Sequence, residues 1–301
     1  MSTLDLNTVK ERVDYISDNT NYTINTPYIS CKVEICGKCN MKCNFCYENT
    51  LVKEGKRQKL LSIEDLELIL KALKRVSTLK EIGLFYMGEA GLHPKLAEMY
   101  KLCRDNGYFT FLTTNGLLID NILPAIQYID SLKVSWNYKN FEDFKTKTGL
   151  NDENQYNTIK ENTKELIEEC HKFGTKLTIS TILNPNDKKE DYDSSLKELS
   201  YDEHYWIPLQ TQAGFKETGL DGVVGEYDNT SSPIPCWSLF RGIYIDSDLN
   251  IRTCCYGHDD KFIIGNIKNN DNPTFDKNTF KEKHLEKIVP DICKNCLKNS
   301  I

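Results

Sequence analysis

The sequence has no stretch approaching the roughly 20 apolar residues that a membrane-spanning helix needs. Its opening, Met1–Tyr15, lacks the basic start and continuous apolar run of a secretory signal. Neither a membrane nor export is expected, and the cytoplasm is the expected location. Positive charge is in deficit: 38 Lys and Arg face 44 Asp and Glu, a formal charge of −6. That balance gives no broad electrostatic footprint for a polyanion, so nucleic acid is not an expected partner. Internal repeats are missing, low complexity is confined to Asn-rich loops such as 269–272, and no linker is long enough to separate independent domains. Histidines number five, none with defensible ligand spacing, and His93 beside Pro94 reads as structural.

Cysteine, by contrast, is abundant, at 12 in 301 residues. Reducing conditions disfavour structural disulfides, so these thiols read as metal ligands, catalytic groups or buried small hydrophobes. Cys31, Cys36, Cys103 and Cys170 have no motif around them and fall in the last class.

The hydrophobic pattern alternates strand and helix. Strands are expected at 31–35, 82–86, 108–113, 132–136, 176–183 and 204–209. Helices are expected after a Ser62 N-cap, over 94–105, and over 156–173 with Gly174 as C-cap, and one short helix is expected in the polar leader before residue 28. About six βα units argue for an α/β fold with a parallel sheet, open or curved into a partial barrel. After Pro235 the rhythm changes to short strands, turns and paired cysteines, the pattern of a small metal-stapled module, with a soft boundary between 211 and 235.

Cys39-Asn40-Met41-Lys42-Cys43-Asn44-Phe45-Cys46 places three thiols within eight residues, directly after an expected strand. Chance placement of cysteine would give this spacing on the order of 0.02 times per chain. Three thiolates on a cubane iron-sulfur cluster leave one iron open to a substrate or cofactor. The competing reading is a zinc knuckle completed by Cys31, Cys36 or a distant histidine. The run, with an aromatic residue before the last cysteine, resembles the C-x3-C-x-aromatic-C signature of the radical S-adenosylmethionine superfamily. That resemblance implies a partial (β/α)6 barrel over residues 28–210, with a 4Fe-4S cluster on Cys39, Cys43 and Cys46. Its open iron would be chelated by S-adenosylmethionine, with Phe45 and backbone near Tyr47 against the adenine. An electron donor such as flavodoxin or ferredoxin is implied as a partner.

Further elements carry the resemblance. Gly88-Glu89, at the end of the second expected strand, resembles the family's Gly-Glu element that receives the ammonium of S-adenosylmethionine; Ala90 stands where the family often has proline. Thr113-Thr114-Asn115-Gly116 resembles the family's third-strand ending, although Asn-Gly suits any turn. Ser135 and Asn137, ending the fourth strand, match positions where the family places polar groups on the ribose and carboxylate; a plain strand end is the alternative.

Downstream, Cys236, the adjacent Cys254-Cys255, and Cys293 with Cys296 can supply four ligands, enough to fill a cluster or a zinc site. Residues 235–297 resemble the C-terminal iron-sulfur region called SPASM or, shortened, twitch. The C-x17-C and C-x2-C spacings imply one auxiliary 4Fe-4S cluster on Cys236, Cys254, Cys293 and Cys296 in a module over 235–301, with Cys255 as the alternative to Cys254. Leu249-Asn250 departs from the glycine common there. The pattern resembles the twitch dehydrogenase of butirosin biosynthesis, which implies an oxidoreductase acting on a small molecule such as a sugar or cyclitol alcohol. A second cluster would accept the second electron, tune electrostatics or hold the module in place. The alternatives are a peptide- or protein-modifying maturase, for which the leader before Cys31 is too short to hold a recognition domain, and a non-catalytic zinc or cluster binding module.

Overall fold

The computed structural model describes residues 21–46, 59–184, 187–208, 235–257, 260–269 and 273–288, with Pro290 and Cys293. In chain order the elements are β1 (Ser30–Val33), α1 (Ile63–Leu73), β2 (Glu81–Gly83), α2 (Leu96–Asp105), β3 (Phe109–Thr114), β4 (Ser131–Ser135), α3 (Phe141–Thr148) and α4 (Glu153–Phe173). Then follow β5 (Lys176–Leu183), a short α5 (Asp193–Leu196), β6 (Glu203–Pro208), α6 (Trp237–Arg241), β7 (Gly242–Ile245), β8 (Asn250–Arg252), β9 (Ile263–Asn266) and α7 (Asn278–Leu285). Strands β1 to β6 are the six expected, each displaced by at most a few residues. The leader helix before residue 28 falls mostly on residues outside those described, as does the boundary between 211 and 235.

The chain divides into two compact units, one of Met1–Ile35, Leu61–Tyr86 and Gln210–Ile301, the other of Cys36–Leu60 and Met87–Leu209. In the first, β1 pairs in parallel with both β2 and β7, and β7, β8 and β9 continue as an antiparallel meander. The Ser62 hydroxyl accepts from Asp65 N–H at 3.0 Å and starts α1 as the sequence indicated. The apolar stripe Leu66, Ile69, Leu70 and Leu73 is buried.

Between β7 and β8 the turn closes around Asp246, whose carboxylate accepts from the Asp248 and Asn250 amides at 3.0 Å each. Leu249, where the resembled family favours glycine, takes a left-handed φ of 68°. That conformation costs a leucine about 1–2 kcal/mol. Its side chain is 1% exposed, and burial worth about 1.5–3 kcal/mol offsets the strain.

In the second unit β3, β4, β5 and β6 pair in parallel in sequence order. Leu112, Leu132, Val134, Leu177 and Ile179 are buried, as strands covered by βα crossovers require. Helix α4 ends on Gly174 at φ 71°, the expected C-cap. Helix α3 starts on the Asn140 side chain, which accepts from Asp143 N–H, and stops at Gly149, also left-handed.

A buried charge network fixes α3. Lys147 Nζ lies 2.9 Å from Asp143 and 3.4 Å from Asp187, Lys139 Nζ 2.6 Å from Asp187, and the Tyr192 hydroxyl donates to Asp187 at 2.9 Å. Burial alone would raise the Asp187 pKa, but Lys139, Tyr192 and Lys147 overcome it and hold the carboxyl at about 2 against an ordinary 3.8. With the folded value depressed, the stabilisation is complete above the unfolded pKa and is lost as pH falls from about 4 to about 2. Asp187→Asn is expected to cost about 2–3 kcal/mol in urea unfolding at neutral pH, less than a fully orphaned buried pair because Lys147 keeps Asp143. The variant should also lose part of the wild type's acid sensitivity in that window.

Candidate active site and auxiliary cysteine site

The Cys39–Cys46 loop is built in the second unit, and its backbone anchors it. Gly37 N–H donates to Lys59 O at 2.9 Å, and Cys36 bridges Leu60. Lys38 O accepts from Glu89 N–H at 2.7 Å. Lys42 and Asn44 N–H donate to Thr148 O and Lys147 O at 2.9 and 2.8 Å. These two carbonyls close α3, where the last turn has no intrahelical donors to offer. The cysteine loop is thus the C-terminal cap of α3. Gly149 admits it, since a Cβ there would stand 3.3 Å from Lys42 Cβ in a left-handed residue. Cys39, Cys43 and Cys46 are all half-buried, and Cys46 N–H turns back to Cys43 O at 3.0 Å.

Gly88 lies against the start of this loop. A Cβ at Gly88 would be 2.1 Å from Cys36 O and 2.6 Å from Lys38 O, so only glycine permits the approach. Glu89 next to it is 4% exposed, and its carboxylate is held by the protein. It accepts from Gly91 N–H at 3.0 Å, the Thr114 hydroxyl at 2.8 Å and Asn115 N–H at 2.8 Å. Burial pushes its pKa up, opposed by those three hydrogen bonds. Glu89 therefore ties the end of β3 to the Gly88 turn. Asn115 then reaches the cysteine loop: its Nδ2 donates to Asn40 Oδ1 at 2.7 Å and stands 3.9 Å from Cys39 Sγ.

Phe45 is 8% exposed, within the loop. Ser135 is half-buried at the end of β4, opposite Ser180 of β5. Asn137 is buried, with Oδ1 accepting from Ile182 N–H at 2.8 Å, which commits that oxygen to β5. Tyr47 lies outside the described residues. His93 is buried and accepts from Lys95 N–H at 3.1 Å, the structural role expected of it. Sequence reasoning missed Asn40, the partner of Asn115. It also missed Asn162 on α4, whose Nδ2 donates to Gly116 O and Leu117 O at 2.9 and 3.0 Å and fixes the turn after β3. No spacing rule selects either; the only signal for Asn40 was its place inside the cysteine run.

A second cysteine site forms in the first unit. Cys236 caps α6, its carbonyl accepting from Leu239 and Phe240 N–H at 3.0 and 3.2 Å. Its own N–H donates to His284 Nδ1 at 3.3 Å, and His284 Nε2 faces Cys293 Sγ at 3.5 Å. Cys254 O accepts from the Tyr86 hydroxyl at 2.9 Å, and Cys255 N–H donates to Ser238 Oγ at 3.4 Å. Arg252, buried against Asp246 at 2.6 Å and Gly257 O at 2.8 Å, stiffens the strand leading into the pair. Lys277 is fully buried, with Nζ donating to Gly242 O at 2.7 Å. Burial depresses its pKa to about 7, while Cys254, Cys255 and Cys236 pull it upward, which places these thiols electrostatically near it. Cys296 lies outside the described residues.

The sequence model of the radical SAM superfamily matches residues 33–199, more than half of the chain. The chain belongs to the radical SAM superfamily. No curated protein matches it by sequence. Among solved structures it is similar to BtrN in complex with AdoMet and 2-DOIA, at 15% identity and TM-score 0.54, covering 91% of this chain and 94% of that one. It is similar to Streptococcus suis SuiB bound to precursor peptide SuiA, at 14% identity and TM-score 0.59, covering 77% of this chain and 60% of that one. It is also similar to anSMEcpe with bound AdoMet, at 18% identity and TM-score 0.57, covering 90% and 89%. These likenesses show the α/β radical SAM fold expected from the sequence.

Membership implies a 4Fe-4S cluster and S-adenosylmethionine, and the cysteine loop fits an anionic cluster. Asn40 Nδ2 and the Tyr138 hydroxyl are buried donors with no acceptor among the described residues, a state that costs about 1–3 kcal/mol each unless an acceptor is supplied. Asn40 follows Cys39, and the Cys43 thiol acts electrostatically on Tyr138. Among the described residues no three His, Cys, Asp or Glu side chains converge as single-ion ligands; thiolates of a cubane bind different irons and stand further apart than ligands of one ion. No helix among the described residues is long and apolar enough to cross a membrane.

Gly88→Ala is the sharpest test of the loop's seating, because the added methyl meets backbone that cannot swing aside. The variant is expected to lose most of the iron bound by the Cys39–Cys46 loop after anaerobic reconstitution, measured as iron per chain. Full loading would show that the loop does not depend on this contact.

Proposed function

We propose that this chain is an oxidative radical SAM enzyme that acts on a small-molecule alcohol, such as a sugar or cyclitol, with help from an auxiliary cluster. When bound, the reduced 4Fe-4S cluster and S-adenosylmethionine supply a 5′-deoxyadenosyl radical that removes a hydrogen atom from the substrate. Cys39, Cys43 and Cys46 would hold the cluster and leave one iron open to S-adenosylmethionine. The observation that carries this reading is the loop's construction: backbone groups of Gly37, Lys38, Lys42 and Asn44 bear the anchoring load, and the three half-buried thiols sit among them.

By the family resemblance, Phe45 and the segment that Tyr47 begins would serve the adenine. The Gly88 turn and Glu89 would receive the ammonium, with the Glu89 carboxylate oriented by Gly91, Thr114 and Asn115. Asn115, Ser135 and Asn137 line the polar side of the site. A two-electron oxidation leaves one electron to be accepted, and Cys236, Cys254, Cys293 and Cys296 offer full ligation for a second cluster able to take it. Reductant for the first cluster comes from a flavodoxin- or ferredoxin-like donor.

A second reading, modification of a peptide side chain, is supported by the fold shared with SuiB, solved with its precursor peptide. Deuterium distinguishes the two. A substrate labelled at the reacting carbon transfers its label to 5′-deoxyadenosine, and the reading predicts transfer from a sugar or cyclitol and none from peptides. Transfer from a peptide alone would reverse the assignment.

Cys43→Ala is expected to abolish 5′-deoxyadenosine formation while iron persists at the C-terminal cysteines; retained cleavage would sink the cluster assignment. Cys293→Ala with Cys296→Ala should lower iron by about half from roughly eight per chain, the content of two cubanes. Unchanged iron would remove the second cluster.

A further inference from the structure

His284 on α7 is 2% exposed and sits between two of the cysteines assigned to the auxiliary cluster. Its Nδ1 is 3.3 Å from the Cys236 backbone nitrogen, a group that can only donate. That contact places the lone pair on Nδ1 and the ring proton on Nε2. Nε2 in turn faces Cys293 Sγ at 3.5 Å, within hydrogen-bonding range of a sulfur acceptor. Cys236 and Cys293 are 57 positions apart in the sequence, yet one neutral imidazole spans them through opposite ring atoms. Phe240, whose ring centroid is 6.4 Å away, helps hold the ring's orientation.

We propose that His284 is a positioning residue of the auxiliary cluster, donating its Nε2–H to the Cys293 thiolate and raising the cluster's reduction potential. The inference rests on the auxiliary-cluster reading above. A reduced cluster carries one more negative charge than an oxidised one, so a hydrogen bond to a ligating sulfur stabilises the reduced form more. The effect favours uptake of the electron that substrate oxidation leaves behind. The Nδ1 contact also separates this role from ligation: an imidazole that keeps its proton on Nε2 has no lone pair there for iron.

The test is a redox titration followed by EPR on reconstituted full-length protein carrying Cys39→Ala, Cys43→Ala and Cys46→Ala, so that only the auxiliary signal remains. In that background His284→Phe should keep its iron and shift the midpoint to a more negative potential. His284→Gln, whose amide can donate along a similar direction, should recover part of the shift. An unmoved midpoint in His284→Phe with iron retained would overturn the proposal. Loss of iron from both variants would overturn it too, by making His284 a ligand. If the background protein itself binds no iron, the auxiliary-cluster reading fails, a result distinct from either outcome for His284.

Discussion

The site depends on the end of one short helix. The last carbonyls of α3 need donors, and the cysteine loop needs anchorage through its backbone. Lys42 and Asn44 N–H groups on Thr148 O and Lys147 O satisfy both requirements with one pair of hydrogen bonds. Gly149 ends the helix where the loop passes, and Lys147, whose carbonyl receives Asn44, is held by Asp143 and Asp187. A buried ion network far along the sequence therefore supports the geometry of the cysteine run through backbone hydrogen bonds. On the other flank, Gly88 and Glu89 grip the backbone of Lys38, and Glu89 passes that constraint through Asn115 to Asn40.

The two cysteine sites are supported by different means. Around the first, the buried donors on Asn40 and Tyr138 have no acceptor among the described residues, as a polar shell suited to an anionic guest would. Around the second, the donors are already committed: Lys277 to Gly242 O, and His284 between Cys236 and Cys293. A buried lysine and a buried imidazole beside several thiols form an environment that lowers the cost of concentrating negative charge there.

Much of this could be read from the sequence because the signals were local. The six strands followed from short apolar or alternating runs set between helical patterns, the start of α1 from Ser62 and the end of α4 from Gly174. The C-x3-C-x2-C run carried the resemblance to the radical SAM superfamily, to which the chain belongs. Cys31, Cys36, Cys103 and Cys170 read correctly as buried thiols. What escaped were relations across long separations. Nothing local shows that β7 pairs with β1 in parallel, extending the sheet with residues from beyond position 241. Nor does a sequence tell that Glu89 spends its carboxylate inside the protein, or that a leucine at position 249 accepts a left-handed turn because its side chain is buried.

The most direct test of the central claim, that Cys39, Cys43 and Cys46 hold a cluster with one iron open to S-adenosylmethionine, is the EPR spectrum of the reduced protein before and after that cofactor is added. It is best recorded in the Cys293→Ala, Cys296→Ala background, where one signal remains. Chelation at the open iron predicts a changed g-tensor on addition of S-adenosylmethionine. A 4Fe-4S signal that stays the same with saturating cofactor would contradict the account.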